Sequence, residues 1–243
     1  MPILSILIVL SAADHVTGKD GKPHATGYWA EEFVVPYRAL KDAGARITIA
    51  TPGGRRPTVD PRSYDPSNWK SKEELQAARK LIASAPELKK RRVLASLTDK
   101  DLEGFDAVFY PGGHAPMEDL AKDAASGRVL RHFHDRAKPT ALVCHGPIAL
   151  LSAKVGDGWP YRGYRMTIFS DSEERQSHLA SVLTYSVEGA LKENGGLVRT
   201  GKDWQPLVVE DRELLTGQNP MSSRALANAL IAKLAARKPA PAP

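Results

Sequence analysis

Near-continuous apolar runs recur at residues 3–10, 45–51, 106–113, 140–146 and 164–170, with shorter ones at 197–200 and 213–216. Each has the length of a strand. A strand apolar throughout belongs in a sheet covered on both faces. Amphipathic stretches lie between these runs. In "GYWAEEFVVPYRALKDAG" the residues Trp29, Phe33, Tyr37 and Leu40 recur at helical spacing, and Gly44 closes the pattern. Pro36 is expected to bend or interrupt that helix. Residues 71–83, 117–136, 146–154, 172–194 and 219–236 also read as helical, some of them broken. Strands alternating with helices predict a doubly wound α/β sandwich with a mainly parallel central sheet.

The intervening stretches add detail. Residues 51–69, rich in Pro, Gly and Asp, read as a long loop, and about 52–100 as an elaboration of a single domain spanning 1–236. The tail "ARKPAPAP", essentially 237–243, is expected to be disordered. The run "ILSILIVLS" has no basic residue before it and no small-residue cleavage site after it, so it reads as a buried first strand rather than a signal peptide. No apolar stretch is long enough to span a bilayer.

Composition changes this picture little. The chain has 243 residues, 42% hydrophobic and 26% charged, which suffices for a sizeable core. The net charge of +6 is spread over mixed runs such as "KSKEELQAARK", which suit solvated helix faces rather than a nucleic-acid stripe. The single cysteine excludes an intrachain disulfide and suggests a reducing, cytoplasmic setting.

That cysteine, Cys144, stands where a strand passes into a helix in "TALVCHGPIALLSA". A sharp turn there holds a nucleophile clear of the sheet. Gly146 relieves crowding, and Pro147 suits the first helical turn. The helix start and a hydrogen bond from a protonated carboxyl nearby are expected to lower the thiol pKa below its free value of about 8.5. "FYPGGHAP" ends another strand, and Gly113 offers a backbone N–H for an oxyanion. Glu31 and Glu32 lie among Tyr28, Trp29 and Phe33; a carboxyl projecting inward from there would have a raised pKa. No metal site is expected: His132 and His134 diverge on a helix, and His15 and His24 lie in a loop without a cysteine nearby. The stretch "SAADHVTGKDG" lacks the glycine spacing of a dinucleotide fold, so no flavin or nicotinamide cofactor is expected.

With these pieces assembled, the sequence resembles the ThiJ/PfpI superfamily, relatives of class I glutamine amidotransferases. It is closest in pattern to the branch of glutathione-independent glyoxalases and small heat-inducible chaperones. The resemblance rests on "TGYWAEEFVVPY" at 26–37, "ATPGG" at 50–54, "DPRS" at 60–63, "FYPGGH" at 109–114, "ALVCHGP" at 141–147, "TIFSDSEE" at 167–174 and "LLTGQNP" at 214–220, in order along nearly the whole chain. It implies a flavodoxin-like sandwich, a homodimer, Cys144 as nucleophile and His145 as its base. It implies Glu32 rather than Glu31 as the buried carboxyl, with Glu31 at the surface. Glu174 is the implied acidic partner of His145, with Asp171 and Glu173 close enough to compete. Gly112, Gly113 and His114 fall at the oxyanion and substrate-binding turn. Ala115 and Glu118 depart from the glycine and aromatic common in that region, and are expected to narrow and acidify the pocket mouth. The implied activity is cofactor-free conversion of methylglyoxal to lactate. A holdase-type chaperone, or an amidase or peptidase using the same Cys-His-Glu site, is the alternative. The implied partners are a small-molecule substrate and a second copy of the chain, without nucleic acid or membrane.

Overall fold

A computed structural model describes residues 4–237; the proline-rich segment 238–243, and with it most of the expected disordered tail, lies outside the described residues. The apolar runs become the strands β1 (Ser5–Val9), β4 (Arg46–Thr51), β6 (Ala107–Tyr110), β7 (Thr140–Val143) and β11 (Leu214–Gly217), with a small hairpin of β2 (His15–Thr17) and β3 (Pro23–Ala25) inserted between β1 and β4. With β5 (Arg92–Val93) and β10 (Val208–Asp211) they form one seven-stranded sheet in the order β10-β11-β7-β6-β1-β4-β5. All pairings are parallel except the β10–β11 hairpin at one edge. Strands β1, β6, β7 and β11 are buried along their whole length, as a sheet covered on both faces requires. Strand β8 (Arg165–Met166) instead pairs with β9 (Leu197–Val198) in a separate two-stranded sheet.

Among the described residues eight α-helices surround the sheet: α1 (Ala30–Asp42), α2 (Lys72–Ser84), α3 (Pro86–Lys89), α4 (Asp99–Glu103), α5 (Ala124–Asp135), α6 (Asp171–Glu174), α7 (Val187–Glu193) and α8 (Ser223–Arg237). This is the mainly parallel, helix-covered architecture that the pattern predicts, in the flavodoxin-like form that the resemblance implies. Helix α1 runs unbroken through Pro36, whose ring is buried in the core rather than at a break. Several expected helices are shorter. The 117–136 stretch is helical only from Ala124, where the Asp123 carboxylate accepts the Ser126 N–H and sets the start. The 172–194 stretch breaks into α6 and α7. Residues 146–154 form a 3₁₀ helix, Gly146–Ala153, packed on α5; a Cβ at Gly127 would come within 1.9 Å of the Ser152 carbonyl oxygen, so only glycine permits that approach. The 51–69 loop carries short 3₁₀ turns started by Asp60 and Asp65 and meets the sheet side through a bridge between Tyr28 and Val59.

The chain order places a switch point at β1 and β6: from β1 the sheet grows toward β4 and β5, and from β6 toward β7 and β11. Segments leaving the carboxyl ends of such strands diverge and leave room for a site. Glu32 on α1 follows β1, Gly112 and Gly113 follow β6, and Cys144 follows β7.

Candidate active site

Cys144 takes a left-handed backbone conformation, φ 59°, immediately after β7. Such a φ is strained for a residue with a Cβ and is held only when its surroundings fix it. Two hydrogen bonds do so: the Cys144 N–H donates to Gly217 at 2.9 Å, and the Phe169 N–H donates to the Cys144 carbonyl at 3.0 Å. The side chain is 4% exposed, so only a small molecule can approach Sγ without rearrangement.

Three groups meet the sulfur. His145 Nδ1 lies 3.2 Å from Sγ, and its Nε2 lies 2.6 Å from Glu174 Oε2. The backbone N–H groups of Gly113 and His145 point at Sγ. Glu32 is fully buried beside Cys144; its Oε2 accepts the Gly112 N–H at 2.7 Å, and its Oε1 has no hydrogen-bond partner among the described residues. Glycine is required at both turn positions. A Cβ on Gly112 would lie 2.6 Å from the Val143 oxygen and 2.8 Å from Glu32 Oε2, and one on Gly113 would lie 2.3 Å from the Gly27 oxygen.

Burial decides the electrostatics. Desolvation holds the Glu32 carboxyl well above the ordinary carboxylate range and so favours its protonated form. The expectation of a depressed thiol pKa is overturned for the same reason. Desolvation, together with the neighbouring Glu32, pushes the Cys144 thiol well above its ordinary value, and the two backbone N–H groups do not offset this. Two buried acids in contact cannot both ionise cheaply, so they titrate as a pair.

Glu174 behaves oppositely. Despite its burial, it is held far below the ordinary carboxylate range by His145 and by hydrogen bonds to His114 and His145. His114 Nε2 lies 3.0 Å from Glu174 Oε1, and its ring packs 4.0 Å from that of His145. Phe169 stacks on the other face of His145 at 4.5 Å. His114 therefore belongs to the carboxylate-imidazole cluster, a role its position in the Gly-Gly-His turn did not reveal. His114, His145 and Glu174 also form a set able to hold a metal ion, with ligand atoms within 4.8 Å of one another, although Glu174 already bridges both rings.

The competing carboxylates have other tasks. Glu173 caps α6 through Ser170 and accepts from Gln218 and Asn219, which binds the β11 turn to α6. The spacing Ser-x-x-Glu in "SDSEE" is a capping-box signal and identifies this role. Asp171 hydrogen-bonds Ser186. Glu118 accepts from the Thr17 N–H and hydroxyl and so anchors β2, and Ala115 is fully buried; neither forms a pocket mouth.

Glu31 is a second correction. It is not a plain surface carboxylate. Its Oε2 is buried without a hydrogen-bond partner among the described residues, facing a cavity lined by Trp69, Lys70 and Glu74. Desolvation, with Glu74 nearby, raises its pKa to about 7. A carboxyl whose folded pKa exceeds its unfolded one costs nothing below the unfolded value and most above the folded one. Glu31→Gln is therefore expected to stabilise the protein at pH 8, by on the order of 2 kcal/mol, and to change little at pH 4. Urea unfolding at the two pH values tests this; an equal effect at both would refute it.

Similarity to known proteins follows the same outline. The chain is 28% identical to the protein/nucleic acid deglycase HchA of Staphylococcus aureus strain Newman, over 91% of this chain and 76% of the relative. It superimposes on the Rapid Encystment Protein 24 kDa of Francisella tularensis with a TM-score of 0.82 at 26% identity, covering 96% and 99% of the two chains. Glyoxalase III of Candida albicans shares the fold, with a TM-score of 0.78 at 21% identity over 94% and 96%. No described helix is long and apolar enough to cross a membrane. The DJ-1/PfpI family model matches residues 24–233, and the chain belongs to that family.

Proposed function

We propose that the protein converts small dicarbonyls such as methylglyoxal to the corresponding 2-hydroxy acid without glutathione. The observation that carries this reading is a fully buried Glu32 carboxyl, its Oε1 without a partner among the described residues, beside the Cys144–His145–Glu174 relay. A thiol held above its ordinary pKa needs a base, and His145 Nδ1 is in reach. His145 takes the thiol proton as Sγ attacks the aldehyde carbon, C1, and Glu174 stabilises the imidazolium. The oxyanion at C1 sits against the N–H groups of Gly113 and His145 and takes a proton from Glu32. Glu32, now a carboxylate, removes the C1 hydrogen. The electron pair forms a C1–C2 double bond, and the C2 oxygen takes the proton from His145. Glu32 returns its proton to C2 while the C1 hydroxyl proton passes to His145. C1 is thereby oxidised to a thioester and C2 reduced to a carbinol, with no external redox partner. Water then adds to C1, giving a proton to Glu32, and the C1–S bond breaks as the sulfur takes the proton held by His145, releasing lactic acid and restoring the thiol, the neutral imidazole and the Glu32 carboxyl.

The names of the staphylococcal deglycase and the Candida glyoxalase III support activity of this type. A hydrolytic reading, as amidase, peptidase or deglycase, draws on the same relay. The near-complete burial of Cys144 favours small aldehydes over peptides. A holdase role and a homodimer remain compatible with the catalytic reading.

Cys144→Ala is expected to abolish glutathione-independent lactate formation from methylglyoxal while leaving the circular dichroism spectrum unchanged. Undiminished lactate formation by that variant would exclude the mechanism. Turnover of model amides but not methylglyoxal by the unaltered protein would select the hydrolytic reading.

A further inference from the structure

A second cavity, of about 830 Å³, opens beside the 51–69 loop, and Cys144 does not line it. Its floor is apolar, with Leu88 and Tyr28 buried and Ile82 half-buried. Four cations ring it: Arg56, Arg79, Lys89 and Arg91. No acidic residue lines it, and the Lys and Arg ion pairs among the described residues involve none of these four. Convergent like charges around a low-dielectric wall repel one another and concentrate an anion.

Two of the cations are held in place. Arg91 donates Nε–H to the Gly54 carbonyl at 2.9 Å and Nη1–H to the Leu88 carbonyl at 3.1 Å. Arg79 lies over the Tyr64 ring at 4.3 Å. Guanidinium groups fixed in this way pay little ordering cost on binding, and their planar forks match the oxygens of a phosphate. A phosphate monoester carries close to two negative charges, which suits four cations better than a single carboxylate does. The apolar floor suits the organic group that bears it, and the volume lies in the range of small-molecule sites.

We propose that this cavity binds a small phosphate monoester with an apolar or aromatic body, at a site separate from Cys144. The volume suits a small ligand rather than a nucleic-acid backbone. Calorimetric titration of the full chain with phenyl phosphate tests the proposal, with inorganic phosphate as comparator. Phenyl phosphate is expected to bind one per chain and at least tenfold more tightly than inorganic phosphate, and AMP is expected to displace it. The double variant Arg79→Gln/Lys89→Gln is expected to lose at least tenfold in affinity. Both side chains are exposed, so the fold is expected to persist, and circular dichroism checks it. Lys80→Gln removes an exposed neighbouring cation that does not line the cavity and is expected to change nothing. The proposal fails if inorganic phosphate binds as tightly as phenyl phosphate. It fails equally if the double variant keeps full affinity, or if single-stranded DNA displaces phenyl phosphate where AMP at the same phosphate concentration does not. Because Cys144→Ala leaves the cavity intact, binding by that variant separates this proposal from the catalytic one.

Discussion

Glu32→Gln is expected to slow lactate formation by about 100- to 10,000-fold, the usual worth of a positioned general acid–base. Glutamine keeps the shape of the side chain and an oxygen to accept the Gly112 N–H, so the fold should persist. It cannot take the C1 hydrogen and return it to C2. The substitution should also change how Cys144 titrates. In the unaltered protein two buried acids share the site, and the first charge opposes the second. The pH dependence of iodoacetamide alkylation should show two steps, the upper one above the ordinary thiol range. In Glu32→Gln only the thiol titrates, and one step should remain. Unchanged turnover would remove Glu32 from the mechanism, and an unchanged alkylation profile would show that the two acids are not coupled. Glu31→Gln should leave turnover near that of the unaltered protein, because Glu31 faces a different cavity.

Gly113→Ala is expected to damage stability and activity together. Gly113 has φ +85°, which an alanine adopts only with strain. Its new methyl would also lie 2.3 Å from the Gly27 oxygen and 2.7 Å from the Trp29 nitrogen, both backbone atoms with little freedom to retreat. Overpacking and a forced left-handed residue together should cost on the order of 2–5 kcal/mol. Relief of the clash moves the Gly113 N–H away from Sγ, so residual folded protein should lose oxyanion stabilisation, worth about 100-fold or more in rate. Chemical denaturation and turnover per folded molecule measure the two losses separately. A variant with unaltered stability would mean that the turn is not fixed as described. Full turnover in the folded fraction would mean that this N–H does not serve the reaction.

Much of the fold could be read from local patterns. The apolar runs at 45–51 and 140–143 became buried parallel strands because their periodicity reports burial on both faces wherever they pair. The edge strand Val208–Asp211 escaped notice because it is only half-buried and its sequence ends in charges. The expected strand at 164–170 shrank to Arg165–Met166. The Thr167 N–H that would continue a ladder is taken by the Thr216 hydroxyl.

The candidate site divides along the same line. The sequence by itself determined that Cys144 follows a strand, that His145 adjoins it, and that a glycine turn follows β6, since each is a property of a few consecutive residues. The choice of Glu32 over Glu31 came from the family resemblance, counted from Gly27 to Pro36. Tertiary structure alone decided the rest. It set Glu174 against His114, sixty residues away, brought Gln218 and Asn219 onto Glu173, and left Glu31 beside Trp69 with an oxygen unpartnered. It also reversed the expected shift of the Cys144 thiol. A helix start acts through neighbouring residues and is visible in sequence. Desolvation depends on every chain segment packed around the sulfur, and those segments meet only in the folded protein.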